Sequence, residues 1–457
     1  MKKIISIIII CLIVIIVVPT NLSYGNHMNA KYLDVKVEKT FSSSDYIALS
    51  SDNGFYLYNK SDKQNELFQI IDMSIIVSKN DVEGLDILDS GNNILTTIPG
   101  DGSIIISSGS MGNSVVQVGK NKYRDFISFL VKTDGISLIN HIEIENYLYG
   151  VVPKEVSPSF PIESIKAQAV AARTYALSNI NKHKNEGFNV CDTTHCQVYG
   201  GMDAEKPSTN QAVDETKNMF VYYEGKLADT TFHSNNGGYI ESSKDAWGGN
   251  ELGYLVAKED MFSVNAPNST WALKLTAQEI NLKLVSAGID VGEVIDMEIL
   301  EVSDANRILN LKVKGSSGEK IISGEKLRSI LGNTSIKSTW FNINKEGSSS
   351  NTKTYVLDGS SNKSIEINLN TANILDGRNV RSASRSSVTR AVSRDRAKDM
   401  ENTYTTTHTS FLFEGRGYGH GVGMSQYGAV EMAKQGYNYE EILKYYYTGV
   451  DIINDGQ

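Results

Sequence analysis

The stretch Glu145-Asn-Tyr-Leu-Tyr-Gly-Val-Val-Pro-Lys-Glu155-Val156 decides how the middle of this chain is read. Leu148, Val151 and Val152 favour extended, buried backbone, Gly150 relieves local crowding, and Pro153 breaks a helix. The run therefore reads as an apolar strand that ends in a strand-to-helix loop. Glu155 stands at the mouth of that loop beside apolar groups, a setting that raises a carboxyl pKa and suits a general acid near neutral pH. A solvated loop glutamate is the competing reading. Just downstream, Pro161 suits a first helical turn. Ile165, Ala169, Ala172, Ala176 and Ile180 then follow the 3.6-residue period of one buried stripe, with Gly187 as its stop. The stripe is rich in small residues, so this helix should pack closely on its neighbour. Arg173 and Tyr175 are the polar members that can face a site.

Outward from this centre, the chain of 457 residues is long enough for two domains or one elaborated domain. Its first residues, Met-Lys-Lys and an apolar run from Ile4 to Val18, read as a secretory signal ending near Gly25. An uncleaved N-terminal anchor is the alternative, the run being short for a membrane span. Either way the expected location is outside the cytoplasm, in the wall or anchored at the membrane. The net charge of −9 argues against a nucleic-acid binder. Of three cysteines, Cys11 lies in the signal core, and Cys191 with Cys196 is too few for a disulfide scaffold.

The fold class expected is α+β: a mixed, β-rich protein with several helices packed on sheet. Residues 31–139 alternate apolar and polar residues between Gly, Asn, Asp and Ser clusters and read as a β-rich region without a catalytic constellation. Further along, helices are expected over Ala277–Ala287 and Ser323–Leu331 and a buried strand at Trp340-Phe341. Residues 347–408 are rich in Ser, Thr, Asn and Arg and read as a flexible insertion. Beyond it, Ser425 can cap a helix running to about Gln435, and Asn438 with Glu441 fits a capping box.

Three further constellations stand out. Arg416-Gly-Tyr-Gly-His-Gly-Val-Gly-Met-Ser-Gln-Tyr-Gly428 is a glycine-dense loop around His420, leading into Gln426. It suits close approach of backbone to a ligand, or a tight chain crossing with His420 satisfied by backbone. It matches neither a Walker loop nor a dinucleotide fingerprint. Phe232-His-Ser-Asn-Asn-Gly-Gly238 presents Ser234 and Asn235 from a loop, or simply makes a turn. A Ser-His-Asp hydrolase would need a nucleophile elbow that the chain lacks. In Cys191-Asp-Thr-Thr-His-Cys196, the residues Cys191, His195 and Cys196, with His183 upstream, are candidate ligands of a closed structural zinc site. Shared ligation by His195 and Cys196 requires a turn there, and a Cys191–Cys196 disulfide is the alternative.

Together these motifs resemble the stage II sporulation protein D / LytB family (SpoIID/LytB domain). The resemblance lies in Asn146 to Glu155, Ala167 to Tyr175, Cys191 to Tyr199, His233 to Gly238 and Gly417 to Gly428, and spans about Asn140 to Ile453. It implies a lytic transglycosylase of peptidoglycan that prefers peptide-stripped glycan, with Glu155 as the catalytic carboxylate. No cofactor is required for that chemistry. Arg173, Tyr175, Gln197, Tyr199, Ser234, His420 and Gln426 would bind sugar hydroxyls and acetamido groups. Relatives described as enhancers of a wall amidase imply a non-catalytic alternative, and a structural component of a sporulation complex is a third. The Asn235-Asn236 pair and the long insertion depart from the family pattern.

Overall fold

The computed structural model describes residues 32–346, except 43, 83 and 110–113, and residues 409–456, with the backbone of six short strands between 353 and 400. The proposed signal or anchor lies outside the described residues. Among those described, no helix is long and apolar enough to cross a membrane. The chain is mixed α+β and β-rich, and its contacts divide it into two units, residues 1–230 with 449–457, and residues 231–448.

The first unit opens with the expected β-rich region. A seven-stranded sheet runs in the order Val190–Cys191, Tyr32–Phe41, Gly135–Glu143, Phe126–Lys132, Ile104–Ser107, Phe55–Asn59, Asp62–Ile70. A six-stranded sheet holds the remaining strands up to Arg124. The alternation seen in sequence becomes alternation in burial: Leu33, Val35 and Val37 face the core while Tyr32, Asp34 and Lys36 do not. The same region holds a buried polar cluster that the sequence did not announce. His141 Nδ1 lies 2.7 Å from Asp34 Oδ1, its ring stacks on Tyr32, and Lys60 pairs with Asp34.

Next comes helix α1, Ile144–Glu155, where a strand was expected. The reason is periodicity. Ile144, Tyr147, Leu148, Val151 and Val152 recur as i, i+3, i+4, i+7 and i+8, and all five are buried. Burying that stripe outweighs the modest helix cost of the β-branched residues. Pro153 falls in the last turn, so it forfeits one ladder bond instead of splitting the helix, and Val156 N–H still reaches Val152 O at 3.0 Å. Gly150 is a matter of space: a Cβ there would stand 2.5 Å from the Tyr199 ring. Helix α2, Ile162–Ser178, buries Ile165, Ala169, Ala172 and Ala176 as expected, and also Ala167, Val170 and Ala171. It stops well before Gly187, because Asn179 closes it by donating to Tyr175 O at 3.1 Å. Helix α3, Pro207–Glu215, packs on both.

In the second unit, α4 (Ser243–Trp247) is followed by α5 (Ala277–Ser286) and α6 (Gly324–Leu331). The last two match the helices read from sequence and carry N-caps from Thr276 and Ser323. They pack with two three-stranded sheets around Trp271, Ile280, Leu284, Leu311, Phe341 and Phe413. Helices α7 (Gln426–Lys434) and α8 (Tyr439–Tyr446) start at the caps anticipated, Ser425 and the Asn438/Glu441 box. Within the 347–408 insertion, the described backbone forms three separate two-stranded hairpins between Lys353 and Met400.

Candidate functional site

Glu155 is the last residue of α1 and is partly exposed. The loop beyond Cys196 folds back across it, and Val198 N–H donates to Glu155 Oε1 at 3.1 Å. Two phenols share its surroundings. Burial, then the neighbouring Cys196 and Glu155, push the Tyr147 hydroxyl well above its ordinary range. Burial, then Asp229, raise that of Tyr175, with Glu155 among the smaller causes. Both therefore stay protonated hydrogen-bond donors. Tyr147 donates to Gln197 Oε1 at 3.3 Å, while Lys182 Nζ stands 3.4 Å from the Tyr175 oxygen.

The four sulfur and nitrogen residues anticipated as ligands do converge. One donor atom from each of His183, Cys191, His195 and Cys196 lies within 4.8 Å of every other. The required turn is present, closed by Cys196 N–H to Thr193 O at 3.1 Å. His195 Nδ1 is 3.7 Å from both sulfurs, and His183 Nε2 is 3.4 Å from Cys196 Sγ. With zinc–sulfur and zinc–nitrogen bonds of about 2.3 and 2.0 Å, a tetrahedron has sulfur–nitrogen edges of about 3.5 Å. The donor set fits. On the far side of its ring, His183 Nδ1 meets Glu186 Oε1 at 2.5 Å, the outer carboxylate that orients many metal-binding imidazoles. The cysteines are free, and burial with Cys191 alongside pushes the Cys196 thiol up to about 11. A metal would have to displace that proton.

Three residues expected to line a sugar site are inside the protein instead. Arg173 has no exposed surface; it grips Glu145 through Nη2 at 2.7 Å and Nε at 3.0 Å and donates to Val213 O and Met219 O. Gln197, 1% exposed, donates to Ala172 O, and Tyr199 donates to Asn140 Oδ1 at 2.7 Å beneath α1. A polar residue on a small-residue stripe reads equally as a ligand contact or as a buried tie, and here it is the tie. Tyr175 keeps some exposure.

Ser234, His420 and Gln426 belong to the second unit. There Phe232–His233 pairs in parallel with Met424–Ser425, so the two loops that look separate in sequence are one structure. Ser234 is partly exposed and accepts from Asn268, and Gln426 is the first residue of α7. His420 Nε2–H donates to Phe232 O at 3.0 Å and its Nδ1 accepts from Val422 N–H at 3.1 Å. Backbone thus engages both ring nitrogens. Gly419 permits the crossing, since a Cβ there would lie 2.7 Å from that of His233. Beneath it, Asp260 accepts from Asn236 at 2.6 Å, Ser263 at 2.5 Å and Tyr446 at 3.1 Å, a buried knot that fixes the loop.

Sequence reasoning missed Asp229, whose carboxyl burial pushes up and which accepts from Asn179 Nδ2 at 3.1 Å. No local pattern marks it; only the fold brings it toward Tyr175. It also missed Trp247, an exposed aromatic beside His420.

Comparison with known proteins places these features. Residues 132–223 match the family described as Stage II sporulation protein (SpoIID), and residues 258–361 match a domain of unknown function. Over 334 residues the chain is 29% identical to an uncharacterized protein of Brachyspira hyodysenteriae, covering 73% of each. It is 32% identical over 312 residues to the Amidase enhancer of Bacillus subtilis, covering 67% of this chain and 40% of that one. It is 26% identical over 329 residues to the Stage II sporulation protein D of the same organism, covering 69% and 75%.

Proposed function

The chain belongs to the SpoIID family, and from that premise we propose that it is an exported lytic transglycosylase of peptidoglycan whose acid–base group is Glu155. The observation that carries the reading is the placement of Glu155. It ends a buried helix yet stays partly exposed, with one oxygen fixed by a backbone N–H two residues beyond Cys196.

In the proposed reaction Glu155 gives its proton to the glycosidic oxygen as the bond to C1 of N-acetylmuramic acid breaks. The resulting carboxylate then takes the proton of the 6-hydroxyl of the same sugar, whose oxygen bonds to C1 and closes a 1,6-anhydro ring. The proton count balances with one carboxyl group, and no water is consumed. Ordinary glycosidases need two carboxyl groups because water must be activated or a covalent intermediate formed. We assign Tyr175 to a sugar contact within the first unit, and separately Ser234, Gln426 and the His420 ring to sugar contacts within the second.

His183, Cys191, His195 and Cys196 would hold a zinc ion in this scheme. Bound there, the ion would supply a structural cross-link, all four positions being taken by protein. Those residues would then hold the Cys196–Val198 turn that carries the donor to Glu155.

The similarity to an Amidase enhancer supports a second reading, in which the chain stimulates a wall amidase without cutting glycan. Incubation with peptide-stripped glycan separates the two. The first reading expects anhydro-muramyl products from the protein alone. Stimulated amidase activity with no such product would establish the second in its place.

A further inference from the structure

The second unit contains a cavity of about 310 Å³ that the motifs above touch only through His420. It lies at the small end of the range for small-molecule sites, about 300–1,000 Å³, which suits one ring better than a chain. The segment matched to a domain of unknown function contributes Arg307, Arg328, Glu325 and Thr339 to its wall, and Glu241, Asp245, Trp247 and His420 are among the lining residues from outside that segment.

Trp247 is the feature that calls for a ligand. It is 52% exposed although the indole is the largest apolar side chain. Its backbone is nonetheless fixed: it ends α4, which Ser242 caps by accepting from Asp245 N–H at 3.0 Å. The indole lies 5.4 Å from the His420 ring, which two backbone bonds hold in place. A rigid aromatic wall left open to water is what a flat, partly apolar ligand face requires.

The polar wall is equally ordered. Glu241, 1% exposed, accepts from the Ser303 hydroxyl and from Ser242 N–H. Arg307 donates to Asn236 O at 3.1 Å and Gly419 O at 3.3 Å. Arg328 is tied to Glu325 at 3.1 Å and to Ile336 O. The lining holds three carboxylates, Glu241, Asp245 and Glu325, and two guanidinium groups, Arg307 and Arg328, so there is no positive excess to select a phosphate or carboxylate. An aromatic surface that shares one cavity with fixed carboxylate and guanidinium groups matches a pyranose, with its C–H face and its rim of hydroxyls.

We propose that the cavity bounded by Trp247, His420, Arg307 and Glu241 is a saccharide site that takes one uncharged pyranose ring. On the glycan-cleaving reading above, that ring is an N-acetylhexosamine. The site gives the segment 258–361 a task, holding glycan, that is separable from cleavage at Glu155.

The test uses the full chain carrying Glu155→Gln, so that any sugar bound is not cut, and titrates it calorimetrically with a soluble N-acetylglucosamine oligosaccharide. The parent is expected to bind, Trp247→Ala to weaken binding at least about tenfold, a change of about 1.4 kcal/mol, and Trp247→Phe to retain most of it. Unchanged melting temperatures show that the variants fold. Equal binding by the parent and Trp247→Ala, or no saccharide binding by the parent, overturns the proposal. So does inorganic phosphate competing for the same site. Cleavage is judged separately on the wild type: Trp247-dependent binding without product sinks the cleavage reading alone, and cleavage with Trp247-independent binding sinks this site alone.

Discussion

Replacing Arg173 with methionine separates a structural residue from a substrate-binding one. The guanidinium is wholly buried, makes three bonds to the Glu145 carboxylate within 3.3 Å, and donates to two main-chain carbonyls. Methionine fills much of the volume but leaves Glu145, itself 5% exposed, with the Asn218 N–H at 3.3 Å in place of a charged partner. Breaking a buried pair from one side costs about 3–5 kcal/mol. For a unit of this size each kcal/mol lowers the midpoint by about 2–4 °C, so a fall of roughly 6–20 °C is expected. Thermal unfolding followed by circular dichroism reads it directly. The double variant Glu145→Leu/Arg173→Met should recover much of the loss, since no charge is then stranded. If Arg173→Met melts with the wild type while losing affinity for glycan, the burial argument is wrong and the residue is a ligand contact.

Gly150→Ala should destabilise the chain by about 1–3 kcal/mol, because the new methyl meets the Tyr199 ring at 2.5 Å and Gly201 O at 3.0 Å; urea unfolding measures this. Elemental analysis should find roughly one zinc per chain, and Cys196→Ser or a chelator should lower the melting temperature. A Cys191–Cys196 disulfide in freshly isolated, metal-free protein would refute that site. Burial, and after it Arg307, push His420 down to about 4. Its folded pKa is thus below the unfolded value of about 6.5, so the stability tied to its neutral form is complete above pH 6.5 and lost as pH falls toward 4. Between pH 7 and 5 this amounts to at most about 2 kcal/mol. Urea titrations of wild type and His420→Gln should differ in pH slope by that amount, and equal slopes would show that His420 does not titrate as described.

How far the sequence carried depended on the kind of signal. Capping residues were reliable: Ser425 and Asn438 both begin helices, because the unpaired N–H groups of a first turn accept few solutions. The metal-type cluster was legible because four soft donors within fourteen residues have few other uses. The segment 144–155 was misread, since Val, Gly and Pro point locally to strand while the buried stripe that makes it a helix shows only over the longer run from Ile144 to Val152. Arg173, Gln197 and Tyr199 were misplaced for a related reason. A polar side chain in a specific motif is retained for a buried bond as readily as for a ligand, and only packing tells which. Asp229 and Trp247 stand in no recognisable local pattern, and the tertiary fold alone gives them neighbours.

The central claim is that Glu155 moves the proton in glycan cleavage. Its most direct measurement is mass spectrometry of the sugars released from peptide-stripped peptidoglycan by wild type and by Glu155→Gln, both shown to be folded. Anhydro-muramyl products from the wild type, with a rate about 10²–10⁴-fold lower in the variant, are the result expected. Equal product release by the two proteins would contradict it, as would the absence of any anhydro sugar from the wild type.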